Sequence, residues 1–168
     1  MGNNKQQEEL LKNINDNKRI IYKICNSYCN NENDKEDLAQ EIIYQLLKSY
    51  RSFNSEYKFS TWMYRVALNV AISFYRKTKK ENVVKLVDQH TDKEDDVEHA
   101  SHTETKIASL HQFINELKEL NKALMILYLE SKSYKEISEI IGITETNVAT
   151  RINRIKEILK QKFSNLNQ

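Results

Sequence analysis

Two residue types that shape tight turns are scarce in this sequence. The chain has no proline and only two glycines among its 168 residues. Hairpins and sandwiches of β-strands depend on such residues for their connections, so the composition argues against an all-β fold. Apolar residues instead recur at helical spacing, as in Leu10, Ile14, Ile21 and Ile24. We therefore predict an all-α protein.

Long apolar runs are also missing. No segment approaches the roughly 18 consecutive apolar residues that a membrane-spanning helix needs, and the first ten residues, MGNNKQQEEL, lack the apolar centre of a signal peptide. These two absences predict a soluble protein of the cytoplasm.

Cysteine is limited to Cys25 and Cys29, four residues apart in a predicted helix. In a cytosolic chain such a pair is more often packed than bridged or metal-bound. A metal site that adds His99 and His102 lacks the usual ligand spacing. The sequence also shows no nucleophile–base set and no phosphate-binding loop. We predict no catalytic residue, no metal, no cofactor and no small-molecule substrate.

The formal net charge of +2 conceals an uneven distribution. Residues 1–80 carry 14 Lys and Arg against 9 Asp and Glu, whereas residues 81–106 carry 3 against 8 and residues 107–168 carry 9 against 7. Helical periodicity follows the same division, since it weakens over 81–106. We predict two small helical domains, residues 8–80 and 107–168, joined by a flexible acidic linker. The basic blocks suggest an acidic partner such as nucleic acid.

Gly142 separates two segments of helical periodicity, SYKEISEIIG and ITETNVATRINRIK. A glycine suits the turn of a helix-turn-helix, with Ile137 and Ile141 facing inward before it and Thr144 capping the second helix. Val148 and other apolar residues would bury one side of that helix. The opposite side carries residues able to contact bases and phosphates, namely Glu145, Thr146, Asn147, Thr150, Arg151 and Arg154. An ordinary helical hairpin with solvated arginines is the alternative.

The N-terminal block combines an acidic-edged helix with an aromatic-rich, basic-ended one. We expect Asn33 or Asp34 to cap the first, and Ser60 or Thr61 to cap the second. Aromatic rings stack on unpaired bases while cations hold the backbone, so the interleaving of aromatic and basic residues suggests capture of single strands. Tyr64 and Phe74 fit a core position better. The sequence predicts an exposed ring at Phe53, which lies in a polar loop. 

Three stretches in this order resemble the extracytoplasmic-function (ECF) group of sigma factors of bacterial RNA polymerase. DKEDLAQEIIYQLLKSYRSF resembles region 2.1–2.2, FSTWMYRVALNVAISFYRK resembles region 2.3–2.4, and SYKEISEIIGITETNVATRINRIK resembles region 4.2. The likeness covers about residues 8–80 and 107–162. It implies a subunit that binds core polymerase and directs it to promoters.

The resemblance also implies roles for matching positions. The surface that grips the β′ coiled coil of core polymerase would include Asp37, Leu38, Gln40 and Glu41. Opening and capture of the −10 element would involve Phe53, Trp62 and Asn69, with Arg65, Arg76 and Lys77 along the DNA backbone. Recognition of the −35 duplex would use Thr146, Asn147, Thr150, Arg151 and Arg154. An anti-sigma factor is a further candidate partner. Ala149 and Ser73 depart from the family pattern, which puts a phosphate contact and promoter discrimination, respectively, in question.

Two other functions could use some of the same residues. A stand-alone helix-turn-helix regulator would explain residues 133–156 but leaves the DLAQE and FSTW stretches unused. A sigma mimic that titrates regulators would not need the aromatic residues or the arginines of the second helix. The sequence therefore favours a sigma factor.

Overall fold

The computed structural model describes residues 2–86 and 102–166, and within these ranges every regular element is helical. This confirms the all-α prediction. The eight α-helices are α1 (Gly2–Asp16), α2 (Lys18–Tyr28), α3 (Glu32–Ser49), α4 (Phe59–Leu86), α5 (His102–Asn115), α6 (Glu119–Leu129), α7 (Tyr134–Ile141) and α8 (Glu145–Leu166). A short 3-10 turn, Tyr50–Ser52, follows α3. We call α1–α4 the N-terminal unit and α5–α8 the C-terminal unit.

Both units extend into the range predicted as linker. Helix α4 continues to Leu86, and α5 already begins at His102. The rest of the predicted linker, residues 87–101, lies outside the described residues. 

The first amphipathic stretch forms two helices because the chain breaks at Asn17. The Asn17 side chain donates a hydrogen bond to the Asn13 carbonyl oxygen at 2.9 Å, which ends α1. Leu10 and Ile14 remain buried on one side of the break, and Ile20, Ile21 and Ile24 on the other side. The apolar periodicity thus continues across the break.

Two predicted helix caps are wrong. Asn31 caps α3, because its side-chain oxygen accepts a hydrogen bond from the Asp34 backbone N–H at 2.8 Å; the predicted caps, Asn33 and Asp34, lie within the helix. Helix α4 begins at Phe59, so Ser60 and Thr61 lie inside its first turn. In both cases the helix starts earlier than the sequence pattern suggested.

The predicted helix-turn-helix geometry is present in α7 and α8. Ser133 and Glu136 form a capping box at the start of α7, and the Thr144 hydroxyl accepts from the Asn147 backbone N–H at 3.2 Å. Gly142 ends α7 with φ of +80°, the left-handed conformation that favours glycine. Ile137 is fully buried as predicted; Ile140 is buried more completely than Ile141.

The two units share one core. Helices α2, α3 and α4 pack together, as do α6, α7 and α8, and α4 also packs against α6 and α7. The buried apolar residues form a cluster that extends through both units. In the ranges 2–86 and 102–166, no helix has an apolar stretch long enough to span a membrane.

Replacement of Gly142 tests the origin of the turn. A Cβ atom at this position would meet no atom within 4 Å, so the strain would come from the backbone and not from crowding. We expect Gly142→Ala to lower the free energy of unfolding by about 1–2 kcal/mol, as measured by urea denaturation. Gly142→Asn should lose less, because asparagine tolerates this conformation better. Equal losses for the two variants would contradict the backbone explanation.

Candidate nucleic-acid and polymerase-binding surfaces

Four aromatic rings meet where the 3-10 turn faces the start of α4. Phe53 lies 5.3 Å from Trp62 and 5.8 Å from Phe59, measured between ring centroids, and it stacks on Tyr50 at 6.0 Å with an interplanar angle of 12°. The prediction that Phe53 is an exposed ring is therefore wrong, because these neighbours leave it half-buried. We call Tyr50, Phe53, Phe59 and Trp62 the aromatic cluster.

Tyr50 is the member of this cluster that sequence reasoning missed. It lies three residues before Phe53, and the 3-10 turn between them places the two rings in parallel. Such i,i+3 spacing of aromatic residues just after a helix was the available signal. Because all four rings are only partly buried, the cluster offers both a rigid support and accessible ring surface.

A small pocket of about 80 Å³ opens beside the cluster. Trp62 forms part of its wall, and Arg65 and Tyr57 stand next to each other there, with the guanidinium carbon 6.0 Å from the tyrosine ring centroid. The loop before α4 is shaped locally, since the Asn54 side-chain oxygen accepts from the Glu56 backbone N–H at 3.0 Å. The pocket thus combines ring faces with a cation.

Most of the exposed residues of α4 form one stripe along the helix. Six of them recur at intervals of three or four residues, which places them on the same face. These six are Arg65, Asn69, Ser73, Arg76, Lys77 and Lys80, and we call them the α4 stripe; Lys79 and Glu81 are exposed beside it. Four of the six residues predicted to contact the −10 element belong to this stripe, while Phe53 and Trp62 belong to the aromatic cluster at its N-terminal end. 

Two stripe residues contact the C-terminal unit. The Arg65 guanidinium donates a hydrogen bond to the Glu139 carbonyl oxygen in α7. Arg76 Nε lies 3.2 Å from a carboxylate oxygen of Glu119 at the start of α6. A hydrogen bond to its own backbone N–H, together with Arg76, lowers the pKa of Glu119 below its ordinary value. The sequence alone gave no indication of these contacts.

A groove of about 640 Å³ lies between α3 and α4. Asp37 and Glu41 line it from α3, and Asn69 and Lys77 line it from α4. Residues predicted for polymerase binding and residues predicted for DNA binding therefore lie at one groove. Gln45 is a lining residue that sequence reasoning missed; its amide donates to the Glu41 carboxylate at 2.9 Å.

Leu38 does not belong to the surface on which the sequence analysis placed it. Its side chain is 0% exposed, as are those of Ile42 and Leu46 at the following i+4 positions of α3. The helical period turns these three residues toward the core while Asp37, Gln40 and Glu41 stay exposed. Leu38 therefore supports the surface from below and cannot form part of it.

Helix α8 exposes the whole residue set predicted for the −35 element. Its buried side is formed by Val148, Ile152, Ile155 and Leu159. The solvent side carries Thr146, Asn147, Thr150, Arg151 and Arg154, all of them exposed. The Thr150 hydroxyl donates to the Thr146 carbonyl oxygen at 2.9 Å, and none of the ion pairs found in the described residues involves Arg151 or Arg154.

The two cysteines are packed inside the N-terminal unit. Both are buried free thiols, and burial raises the pKa of Cys25 and of Cys29 to about 11. Their thiols are therefore protonated at neutral pH. His99, a candidate metal ligand in the sequence, lies outside the described residues. Within 2–86 and 102–166, no group of three His, Cys, Asp or Glu residues could hold a metal ion.

Comparison with known proteins covers both units. The family model for Sigma-70 region 2 matches residues 14–81, and the one for Sigma-70, region 4 matches residues 107–159. RNA polymerase sigma factor SigV of Bacillus subtilis (strain 168) is 30% identical over 151 residues, which are 88% of this chain and 86% of the relative. The chain belongs to the ECF sigma factors.

A second relative agrees with this assignment, and two solved structures share the fold. The ECF RNA polymerase sigma factor SigW of Bacillus subtilis (strain 168) is 30% identical to this sigma factor, over 87% of this chain and 84% of the relative. CnrH in complex with the cytosolic domain of CnrY superimposes with a TM-score of 0.67 at 15% identity, covering 94% of this chain and 89% of CnrH. RpoE of Bartonella quintana, in complex with the anti-sigma factor NepR, gives 0.66 at 19% identity, covering 94% and 95%. 

The two family matches favour a sigma factor over the alternative of a stand-alone helix-turn-helix regulator. That alternative accounts for residues 133–156 and leaves the match of residues 14–81 unexplained. Region 2 corresponds to most of the N-terminal unit, and region 4 to most of the C-terminal unit. The aromatic cluster, the α4 stripe and the α3–α4 groove all fall within region 2.

Truncation of Leu38 tests whether it belongs to the core or to the surface. We expect Leu38→Ala to lower the free energy of unfolding by about 2–5 kcal/mol, since the change leaves a cavity in a packed interior. Gln40→Ala, at an exposed position two residues later, is the matched control and should change it by at most about 0.5 kcal/mol. Urea denaturation of both variants measures the difference. If Leu38→Ala lowers the free energy of unfolding as little as Gln40→Ala does, Leu38 belongs to the surface and not to the core.

Proposed function

We propose that this sigma factor binds core RNA polymerase through α3 and recognises a promoter with two separate surfaces. The aromatic cluster and the α4 stripe would take the −10 element as single strands, and the exposed face of α8 would take the −35 element as duplex. The observation that carries the proposal is that the two surfaces differ chemically. One combines rings with cations, and the other presents polar and basic side chains over the first three turns of α8.

The −10 surface suits bases that have left the duplex. Extruding a base costs a few kcal/mol, and stacking on an aromatic side chain returns about 1–3 kcal/mol per base. Phe53 and Trp62 would provide the stacking faces, held in position by Tyr50 and Phe59. Asn69 would contact a base edge, while Arg65, Arg76 and Lys77 would follow the phosphates.

The −35 surface suits a paired major groove. Thr146 and Asn147 lie in the first turn of α8, where side chains of a recognition helix contact base edges. Arg151 and Arg154 follow at the next turns and, with Thr150, would contact bases or phosphates. Each good base contact contributes perhaps 1–3 kcal/mol of discrimination. Tethering both surfaces to one polymerase raises their effective concentration, so modest contacts are sufficient.

The exposed residues Asp37, Gln40 and Glu41 would bind the β′ coiled coil of core polymerase. The carboxylates of Asp37 and Glu41 at the α3–α4 groove favour a basic partner. We propose that region 2 function resides in residues 8–80 and region 4 function in 107–168. The acidic linker between these two regions would extend toward the active-site and RNA-exit channels of the polymerase. The factor would act in the cytoplasm, as a specificity subunit without catalytic activity of its own.

One solved structural neighbour, the sigma factor RpoE, is bound to the anti-sigma factor NepR. An anti-sigma factor is accordingly a proposed partner of this protein. Such a regulator would compete with polymerase or promoter for one of the surfaces described above.

In vitro transcription tests the proposal directly. Core polymerase with the sigma factor should initiate at a defined site on a template that carries the sigma factor gene's own upstream region, and core polymerase alone should not. The absence of any gain in start-site selectivity would contradict the proposal, whatever the quality of the sequence matches.

Trp62→Ala should reduce open-complex formation by about tenfold, because one stacking contact of roughly 1–3 kcal/mol is lost. Permanganate reactivity of unpaired thymines measures opening, and a pull-down with core polymerase should stay at the wild-type level. Tyr22→Ala is the control, since this ring is 62% exposed on α2 and lies outside the aromatic cluster. Loss of opening and polymerase binding together would indicate a folding defect instead of lost stacking.

Arg151→Ala should weaken binding of a −35 duplex and flatten its dependence on salt concentration, because one cation no longer displaces counterions from the phosphates. Fluorescence anisotropy at several salt concentrations measures both quantities. Lys160→Ala removes an exposed cation farther along α8 and should change neither by a comparable amount. Identical behaviour of the two variants would remove Arg151 from the interface.

A further inference from the structure

The groove between α3 and α4 lies close to the aromatic cluster along both helices. On α3 it is lined by Gln45, five residues before Tyr50. On α4 it is lined by Asn69, seven residues after Trp62, which is about 10 Å along the helix axis. Because a DNA strand advances about 3.4 Å per nucleotide along a duplex, a strand held at the cluster reaches the groove within about three nucleotides.

The groove shares one side with the α4 stripe. Asn69, Ser73 and Lys77 belong to the stripe and also line the groove. A DNA backbone that follows the stripe therefore runs along the edge of the groove. The carboxylates of Asp37 and Glu41 on the opposite side repel phosphates, so the uncharged part of the strand, a base, is the part suited to enter.

The interior of the groove fits the face of a base. Its volume of about 640 Å³ lies within the range of small-molecule pockets, about 300–1,000 Å³. Val70 and Phe74 line it and are only half-buried, so each has apolar surface left to cover. A base taken out of the stack is held between aromatic and apolar side chains in many enzymes, and these two residues offer such surfaces.

Glu41 orients the amide of Gln45. The amide nitrogen donates to a Glu41 carboxylate oxygen at 2.9 Å, and an ionised carboxylate only accepts hydrogen bonds. The bond therefore distinguishes the two ends of the amide, with the nitrogen at Glu41 and the oxygen turned away from it. Because Gln45 lines the groove, its amide oxygen presents a positioned acceptor there.

An acceptor at this place distinguishes two kinds of base. Adenine and cytosine carry an amino group, N6 or N4, that donates hydrogen bonds, whereas guanine and thymine carry a carbonyl oxygen, O6 or O4, at the equivalent position. The Gln45 oxygen and the nearby carboxylates attract the amino group and repel the carbonyl oxygen. Ser73 makes no such distinction, because its hydroxyl can donate or accept. The groove is therefore matched to adenine or cytosine.

We propose that the α3–α4 groove binds an unpaired adenine or cytosine of the −10 strand, and that Gln45 is the residue that selects it. This inference rests on the proposed function, because it identifies a base and a further contact for the same strand. The site is separate from the aromatic cluster, where stacking accepts any base. Asp37 lies two turns before Gln45, about 12 Å along α3, and can contact polymerase while the base is bound. Glu41 contributes by orienting Gln45 with one of its two oxygens.

Base analogues test the site. Permanganate reactivity first locates the opened −10 segment on the sigma factor gene's own upstream region. Each position of that segment is then changed in a single-stranded oligonucleotide. Thymine is compared with 5-methylcytosine, which shares its methyl group and differs at C4 and in the N3 proton, and adenine is compared with purine, which lacks the amino group. Fluorescence anisotropy measures binding to the complete holoenzyme.

At one position we expect the wild type to bind 5-methylcytosine about tenfold more tightly than thymine, or adenine about tenfold more tightly than purine. Gln45→Ala should reduce this ratio to below about twofold and leave the other positions unchanged. Gln45→Lys replaces the acceptor by a donor and should reverse the preference, toward thymine over 5-methylcytosine. A reversed preference cannot result from loss of folding.

Gln112→Lys is the matched control, since it adds the same charge at an exposed glutamine of α5, outside the groove. It should leave every base ratio at the wild-type value. The proposal is overturned if no position shows the amino preference, or if both Gln45 variants keep the wild-type ratio. It is also overturned if Gln45→Ala no longer binds core polymerase in a pull-down, because Gln45 would then be a polymerase contact.

Transcription with the wild-type protein separates this inference from the proposed function. Failure of the wild type to confer start-site selectivity on core polymerase would overturn both. Selective transcription by the wild type, with base ratios that Gln45→Ala and Gln45→Lys leave unchanged, would overturn the groove site alone.

Discussion

Helix α4 packs against α2 and α3 of its own unit and against α6 and α7 of the other. Its buried residues, among them Met63, Ala67, Leu68 and Ala71, pack against these neighbours. The exposed stripe from Arg65 to Lys80 lies on the remaining, solvent-exposed side of the helix. Because the period of the helix fixes which residues belong to each side, the packing also fixes which side chains are available to DNA. The groove with α3 and the contact with α7 are consequences of the same constraint.

Local physical chemistry explains why much of the fold was predictable. The turn at Gly142, the Thr144 cap and the buried stripe of α8 depend on residues close in sequence, so pattern alone found them. The Leu38 error was avoidable for the same reason. Leu38, Ile42 and Leu46 share one helical face, and their spacing in the sequence already placed Leu38 inside. The family resemblance had assigned Leu38 to the same surface as Asp37, Gln40 and Glu41, although adjacent residues of a helix point in different directions.

Tertiary contacts explain the features that the sequence did not predict. Phe53 lies in a polar loop, and only the approach of Phe59 and Trp62 from α4 covers it. Lys122 has the side chain least expected in an interior, yet Tyr28 and Tyr75 enclose it. These three residues lie on different helices, and no spacing along the chain relates them. The packing of the two units was accordingly left open by the sequence.

The two proposed DNA surfaces differ in whether other parts of the protein already contact them. The face of α8 is exposed while the units are packed, so duplex recognition needs no rearrangement of the described residues. The −10 surface is partly engaged, since Arg65 and Arg76 contact the C-terminal unit. A partner that binds the −10 surface must therefore replace these contacts with its own. Phosphates can do so because each offers a guanidinium a charged acceptor in place of the Glu139 carbonyl oxygen or the Glu119 carboxylate.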